Sequence, residues 1–179
     1  MVYVGVDPGK HGAIAVIGSK VVLEVHDFPL DSHGQANLPA LAKIITKIAT
    51  KYPEITATIE DVTTFRRDGR VGAFSFGENK GYWLLGLAMV GIETLRVEPH
   101  TWKKAVIGYV KNTDKEVSNR IVKLLFQNAG EHIEKVVNKG RSNQAVKLMD
   151  GRSEAVLIAE YGRRVVASRR LVSCGQQAS

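Results

Sequence analysis

The sequence has few of the residues and segments that define several classes of protein. It contains a single cysteine, Cys174, so no internal disulfide can form and a reducing compartment is expected. Its apolar stretches are interrupted by charge or glycine well before the roughly 18 residues that a membrane span needs. The N-terminus runs directly into Asp7 and Lys10, unlike a secretory signal. We therefore expect a cytoplasmic protein that is neither secreted nor embedded in a membrane.

Three common kinds of active site also lack support in the sequence. No cysteines and histidines stand at the spacing of a zinc site. No glycine-rich loop ends in the Lys-Ser or Lys-Thr pair of a nucleotide-binding P-loop. No serine and histidine form a pattern typical of nucleophilic catalysis. The chemistry is therefore sought among acidic side chains.

The composition is that of a folded domain with a basic surface. The chain has 179 residues, of which 44% are hydrophobic and 24% charged, which is enough to bury a core. Residues 1–60 hold five Lys/Arg against six Asp/Glu, whereas residues 61–179 hold twenty against twelve. A positive charge concentrated in one part of the chain suits a polyanion such as DNA. We expect one domain over residues 1–166 and a disordered tail over residues 167–179.

Hydrophobic periodicity predicts an α/β fold. A meander of three antiparallel strands comes first, followed by alternating helices and strands. The predicted strands are Val2–Asp7, Ala13–Ile17, Val21–His26, Ile55–Ile59 and Thr94–Val97. The predicted helices run from Leu38 to Tyr52, from Phe74 to Val90, from a capping box at Thr113 and Glu116 to Leu125, and from Gly151 to Val166. Residues 63–72 are expected to form a loop, and residues 130–143 fit no single pattern.

Two of the predicted strands end on a carboxylate. Asp7 closes the first strand and precedes Pro8-Gly9, and Glu60 closes the fourth. Ligands gather at the carboxyl ends of strands in such sheets, so both acids are candidates for a site. Two simpler interpretations stay open, because Asp7 could cap the turn that follows it and Glu60 could be a solvated strand end.

A second acidic pair opens the last predicted helix. Asp150 and Glu154 are four residues apart, so their carboxylates share one helix face. Asp150 could instead be an N-cap and Glu154 a first-turn acid that suits the helix dipole. Three or four converging carboxylates would suit hard cations such as Mg²⁺, and two such ions can promote hydrolysis of a phosphodiester.

Motifs spread along the chain resemble those of RuvC-type Holliday-junction resolvases, which have an RNase H-like fold. The resemblance covers residues 2 to about 165. Within this family the chain resembles in particular the RuvC-like resolvases of phages and the plant chloroplast resolvases. The motifs are Val4-Gly-Val-Asp-Pro-Gly9, Gly12-Ala-Ile-Ala15, Thr58-Ile-Glu60, Phe74-Ser-Phe-Gly77 with Gly81, Pro99-x-x-Trp-Lys103 and Asp150-Gly-Arg-Ser-Glu154 with the residues up to Gly162. The resemblance implies a mixed five-stranded sheet flanked by helices and a nuclease domain over residues 1–166.

The resemblance also implies a role for each acid. Asp7 would bridge two Mg²⁺ ions, Glu60 would hold one of them, and Glu154 would match the last acid of the family. Relatives often carry histidine, preceded by aspartate, where this chain has Asp150, and we expect Asp150 to bind metal as well. Mn²⁺ is expected to substitute for Mg²⁺.

Basic residues and a glycine-rich helix predict the partners. The residues expected to contact DNA are Lys10, Arg66, Arg67, Arg70, Lys80, Lys103, Lys104, Lys111, Lys147 and Arg152. Flexible arginines beside Phe65 could also unstack a junction core. The apolar helix from Phe74 to Val90 is expected to form a homodimer interface, since a two-fold substrate needs two active sites. Trp102 is expected to belong to the core.

The function expected from these residues is that of a magnesium-dependent, structure-specific endodeoxyribonuclease. It would make paired nicks in four-way DNA junctions during recombination and repair. A nuclease for other branched or hybrid nucleic acids is one alternative, and a non-catalytic junction-binding module is another. The Asp7-Pro-Gly9 turn with Gly12 also resembles the phosphate-binding hairpin of sugar kinases and actin-like ATPases, but those enzymes need two such domains.

Overall fold

The computed structural model describes residues 1–62, 70–108, 115–139 and 143–176. The strands in these ranges are β1 (Val2–Asp7), β2 (Ala13–Ile17), β3 (Val22–Asp27), β4 (Ile55–Glu60), β5 (Thr94–Val97), β6 (Glu134–Lys139) and β7 (Asn143–Leu148). The helices are α1 (Leu38–Lys51), α2 (Arg70–Met89), α3 (Pro99–Val106), α4 (Lys115–Leu125), α5 (Gly130–Ile133) and α6 (Asp150–Gln176).

A mixed five-stranded sheet in the order β3-β2-β1-β4-β5 forms the centre of the molecule. The first three strands are antiparallel neighbours, whereas β4 runs parallel to both β1 and β5. This arrangement confirms the predicted mixed sheet with helices on its faces. Because β1, β4 and β5 point the same way, their carboxyl ends meet at one edge of the sheet.

One face of the sheet is covered by α6, which packs almost backbone to backbone on β1. A Cβ atom at Gly5 would lie within 3.0 Å of backbone atoms of Ala155 and Ala159. A Cβ atom at Gly151 would collide in the same way with the backbone of His11. Fully buried aliphatic residues of α6 complete this half of the core together with Trp102 and helix α4. Glycine is needed at these positions because no side chain fits between helix and strand.

The opposite face of the sheet is covered by α1 and α2. Ile45 and Ile48 of α1 and Trp83 and Leu87 of α2 are fully buried against β1, β2 and β4. Helix α1 begins at an N-cap, Asn37, whose side chain accepts a hydrogen bond from the Ala40 amide at 3.1 Å. The two cores therefore sandwich the sheet, and the acidic strand ends are left at its edge.

Several elements differ from the sequence expectations. The eight-residue helix α3 was not predicted, because it is too short to show a helical period. The hairpin β6–β7 lies partly in the segment that fitted no pattern, and the two strands pair antiparallel. Helix α6 continues to Gln176, so the first ten residues of the expected tail over residues 167–179 are helical. The predicted loop over residues 63–72 is wrong in its last three residues, because α2 already begins at Arg70. Residues 63–69 and the capping residue Thr113 lie outside the described residues. No helix in the described part of the chain is long and apolar enough to cross a membrane.

The contact between α6 and β1 gives a testable prediction of stability. Gly5→Ala should lower the free energy of unfolding by about 3 kcal/mol, because overpacking here has to move backbone rather than a flexible side chain. The change is measured by urea denaturation of both proteins.

A matched control is Gly72→Ala in α2, where a Cβ atom would meet nothing within 4 Å. This substitution should leave the stability unchanged or raise it by up to about 1 kcal/mol. Equal stabilities of the Gly5→Ala and Gly72→Ala proteins would contradict the close contact between helix and strand.

Candidate functional site

Asp7 and Glu60 lie side by side at the carboxyl ends of two adjacent parallel strands. The register pairs Gly5 with Thr58 and Val6 with Ile59, so the next pair joins the two acids. Side chains alternate along a strand, and Asp7 therefore points to the same face as Gly5, which is the face covered by α6. The sequence correctly placed both acids at strand ends, and pairing of the strands brings them together.

The first turns of α6 bring Glu154 to the same edge. Gly151 packs on the backbone of the β1–β2 turn, and Ala155 packs on Gly5, so Glu154 lies between two fixed contacts. Gly12 in that turn also leaves room for the carboxyl of Asp7, whose Cγ would be 2.9 Å from a Cβ atom at this position. Three carboxylates from β1, β4 and α6 therefore share one site.

The carboxylates of the site affect one another strongly. The pKa of Asp7 is raised from 3.8 to about 7, first because the carboxyl is surrounded by protein atoms and then because Glu154 and Glu60 repel its charge. The Gly9 amide donates a hydrogen bond to Oδ1 of Asp7 at 3.0 Å and opposes this rise. The ammonium of Lys103 opposes it too. Negative charge at this edge is therefore only partly compensated.

Glu60 is buried and is held by one specific donor. Burial raises its pKa, and the charge of Glu154 adds to the rise. The indole Nε1 of Trp102 donates a hydrogen bond to Oε1 of Glu60 at 2.8 Å and lowers the pKa again, as does the charge of Lys103. The simpler interpretation of Glu60 as a solvated strand end is wrong, because only 6% of the residue is exposed.

Lys103 supplies a positive charge to the site from α3. Its Nζ lies 3.1 Å from Oε1 of Glu154 and 5.1 Å from the centre of the Trp102 ring. Trp102 and Lys103 are consecutive residues, so one turn of α3 contacts an acid of β4 and an acid of α6. The sequence placed Lys103 among the DNA contacts and gave no sign of this ion pair.

Asp150 has a different neighbour from the other three acids. The side-chain amide of Asn119, which is buried on α4, donates to Oδ1 of Asp150 at 3.4 Å. The hydroxyl of Ser153 donates in turn to Oδ1 of Asn119. Asn119 therefore ties the start of α6 to α4. Metal binding by Asp150 stays a prediction.

The basic residues expected to contact DNA lie in several environments. Lys10 is exposed and lines a cavity of about 400 Å³ between the β1–β2 turn, the loop before α1 and the start of α2. Lys104 is exposed on α3, and Lys80 forms an ion pair with Asp61. Arg152 donates to both carboxylate oxygens of Asp27, at 2.6 and 2.7 Å, and to the backbone oxygen of His132. Its guanidinium thereby joins α6 to the end of β3.

The other expected DNA contacts lie outside the described residues. Three of them, Arg66, Arg67 and Lys111, lie outside the described residues, as does Phe65. Arg70 lies in α2 and Lys147 in β7, but the positions of their side chains are not described. These expectations stay predictions.

The contact of Trp102 with the site is what the sequence interpretation missed. Trp102 was expected to belong to the core, which is confirmed, since the residue is fully buried. Its hydrogen bond to Glu60 could not be foreseen, because the two residues are 42 positions apart. The one available signal was its position directly before Lys103 in the Pro99-x-x-Trp-Lys103 motif.

Comparisons of the whole fold identify similar solved structures. T. thermophilus RuvC in complex with Holliday junction substrate superposes with a TM-score of 0.65 at 16% sequence identity, over 90% of this chain and 92% of that chain. A second Thermus thermophilus RuvC structure superposes with a TM-score of 0.64 at 14% identity, over 92% of this chain and 96% of that chain. No protein-family model and no curated protein sequence matches this chain.

These identities are low, whereas the superposition covers nearly the full length of both chains. The expected similarity to phage and chloroplast resolvases stays a prediction. The chain has a RuvC-type fold, with a mixed five-stranded sheet of the RNase H-like kind.

Proposed function

We propose that this chain is a divalent-metal-dependent endonuclease that cuts four-way DNA junctions, as the sequence predicted. The observation that carries the proposal is the cluster of Asp7, Glu60 and Glu154 at the carboxyl edge of a RuvC-type sheet. A similar solved structure contains T. thermophilus RuvC with a Holliday junction substrate, which supports branched DNA as the substrate class. The basic surface of residues 61–179 is consistent with a polyanionic partner.

The chemistry of the donor set fits a hard divalent cation. Asp7, Glu60 and Glu154 offer carboxylate oxygens, and their mutual repulsion is relieved by a bound positive charge. Among the described residues no three acidic, histidine or cysteine side chains already stand in a metal-binding arrangement. A cation would draw the three carboxylates together, and it would compete with Lys103 for Oε1 of Glu154, which lies 3.1 Å from the lysine Nζ.

Each residue of the site has a proposed role in binding metal or DNA. Asp7, Glu60 and Glu154 would hold Mg²⁺ or Mn²⁺, with Asp150 as the proposed fourth ligand and two ions in the site. Such ions, when bound, polarise a phosphodiester and activate a water molecule. Lys103, released from Glu154, would be available to a DNA phosphate. The other residues predicted to contact DNA would position the strands, namely Lys10, Arg66, Arg67, Arg70, Lys80, Lys104, Lys111, Lys147 and Arg152.

We propose that two copies of this chain form a dimer through helix α2. Its exposed side carries a stripe of apolar and small residues at helical spacing, with large apolar side chains at Phe74, Leu85 and Met89. Gly77 and Gly81 lie on the same stripe, and a Cβ atom at either would meet nothing within 4 Å. Glycine costs about 1 kcal/mol in a helix, and the described residues offer these two glycines no packing partner, which supports close approach of another helix. A two-fold junction requires two sites, which a symmetric dimer supplies.

Replacement of the central acid tests the function. Asp7→Asn should reduce cleavage of a synthetic four-way junction in Mg²⁺ by more than about 100-fold, beyond the typical effect of an outer-shell partner. Binding of the same junction in Ca²⁺ or EDTA should be unchanged, because the substitution removes one charge and no basic group. Cleavage is measured on gels and binding by fluorescence anisotropy.

Glu93, an exposed acid directly before β5, provides the matched control, and Glu93→Gln should cut normally. Loss of binding together with cleavage would mean that Asp7 has a structural role. Faster cutting of flaps or RNA–DNA hybrids than of junctions would favour the broader nuclease. Junction binding without nicking in any divalent metal would favour the non-catalytic module.

The raised pKa of Asp7 predicts how stability depends on pH. The folded chain favours protonated Asp7, so it loses stability as the pH rises from about 4 through about 7. Asp7→Asn keeps an oxygen for the Gly9 amide and removes the charge, so it should stabilise the protein at pH 8 in EDTA. The gain in the free energy of unfolding is at most about 4 kcal/mol, which is the pKa shift expressed as an energy. Because Asp7 is partly exposed, solvent screening makes the gain smaller than this limit. The gain should vanish below about pH 4.

Thermal unfolding in EDTA across this pH range measures the effect, with Glu93→Gln as the control that shows no such gain. Stabilisation that persists unchanged at pH 4 would contradict repulsion and burial as its cause. Mg²⁺ should then raise the melting temperature of the wild type more than that of Asp7→Asn.

The stripe on α2 gives a prediction about assembly. Leu85 is 62% exposed, and Leu85→Glu should convert the dimer to a monomer, because a buried unpaired charge would face the partner helix. Sedimentation equilibrium measures the change. Leu124→Glu on α4, where the leucine is 74% exposed, should leave the dimer intact. A wild type that is monomeric while it cuts junctions would contradict the proposed interface.

A further inference from the structure

The hydrogen bond between Trp102 and Glu60 joins the core to the acidic site. Trp102 is fully buried and Glu60 nearly so, and Nε1 lies 2.8 Å from Oε1. Within the described residues the indole is the hydrogen-bond partner of the Glu60 carboxylate, since the remaining interactions on Glu60 are electrostatic. A glutamate has three rotatable side-chain bonds, so a fixed donor determines where its oxygens lie.

The donor itself is rigidly held. Trp102 packs in the core cluster with Val106, Val122 and Phe126. Helix α3 is also tied to α6 at its end, since the Arg164 guanidinium donates to the backbone oxygen of Ala105 at 2.8 Å. Glu160, only 3% exposed, accepts a hydrogen bond from the same guanidinium. The indole N–H is therefore presented to Glu60 by an anchored helix.

We propose that Trp102 is a positioning residue that orients the Glu60 carboxylate for a divalent cation. This inference rests on the proposed function and adds to it a residue that touches no metal. Groups that hydrogen-bond a metal ligand typically change metal affinity or activity by about 10- to 100-fold, because they hold the ligand in its binding orientation. An indole N–H is donor only, so it cannot compete with Glu60 for the cation.

The chain contains a matched control for this residue. It has two tryptophans, Trp83 and Trp102, and both are fully buried. The Nε1 of Trp83 has no hydrogen-bond partner among the described residues, and the ring packs against Phe28 on the other face of the sheet. Replacement by phenylalanine removes similar volume at both positions. Only at position 102 does it remove a hydrogen bond to the acidic site.

The experiment compares Trp102→Phe with Trp83→Phe by calorimetric titration of each full-length protein with Mn²⁺ in the absence of DNA. Trp102→Phe should weaken Mn²⁺ binding by about 10- to 100-fold, whereas Trp83→Phe should bind as the wild type does. Thermal unfolding of both variants shows whether the losses of packing are comparable. Equal Mn²⁺ affinities of Trp102→Phe, Trp83→Phe and wild type would overturn the proposal.

A second readout holds even if Trp102→Phe does not fold. In the Trp83→Phe protein Trp102 is the one remaining tryptophan, so its emission reports on the carboxylate that it contacts. Mg²⁺ should change this emission over the concentration range that supports cleavage, and a constant emission would overturn the proposal. A wild type that neither binds Mn²⁺ nor cuts junctions would instead overturn the proposed function. Normal binding and cutting by the wild type, with no effect at Trp102, would overturn this inference alone.

Discussion

The arrangement depends on the direct contact between helix α6 and strand β1. Gly5 in the strand and Gly151 in the helix leave no Cβ atoms where the two backbones meet. This close approach fixes the height and rotation of α6 over the sheet, and it thereby brings Glu154 beside the strand ends that carry Asp7 and Glu60. A side chain at either glycine would move the helix away and separate the acids. The same contact buries the aliphatic face of α6, so one interaction serves both the core and the site.

The acidic site works against the stability of the fold. Burial and mutual repulsion raise the pKa of Asp7 to about 7 and that of Glu60 above its ordinary value. Helix α3 offsets part of this cost through an indole donor to Glu60 and an ammonium beside Glu154. The compensation is incomplete at this edge, in contrast to the ion pair of Arg152 with Asp27, where the charges are matched. Electrostatic strain at one edge of the sheet is consistent with the proposed metal-dependent chemistry.

The surface features fit the same interpretation. The positive charge of the chain is concentrated after residue 60. Exposed Lys10 lies on the β1–β2 turn three residues after Asp7, and exposed Lys104 lies on α3 beside Lys103, which pairs with Glu154. Helix α2 buries Trp83 and Leu87 on one side and exposes apolar side chains and glycines on the other. The fold is shared with T. thermophilus RuvC at only 16% sequence identity.

The sequence by itself determined the five strands of the sheet, the four longer helices and the acids that end β1 and β4. These follow from local periodicity, because alternation and helical spacing depend on neighbouring residues alone. Tertiary structure decided the rest. Helix α3 is too short to show a period, and the polar strands of the β6–β7 hairpin lack the usual apolar alternation. The bond from Trp102 to Glu60 joins residues 42 positions apart, and that from Asn119 to Asp150 joins residues 31 apart. Such contacts exist only once the sheet and its helices have packed together.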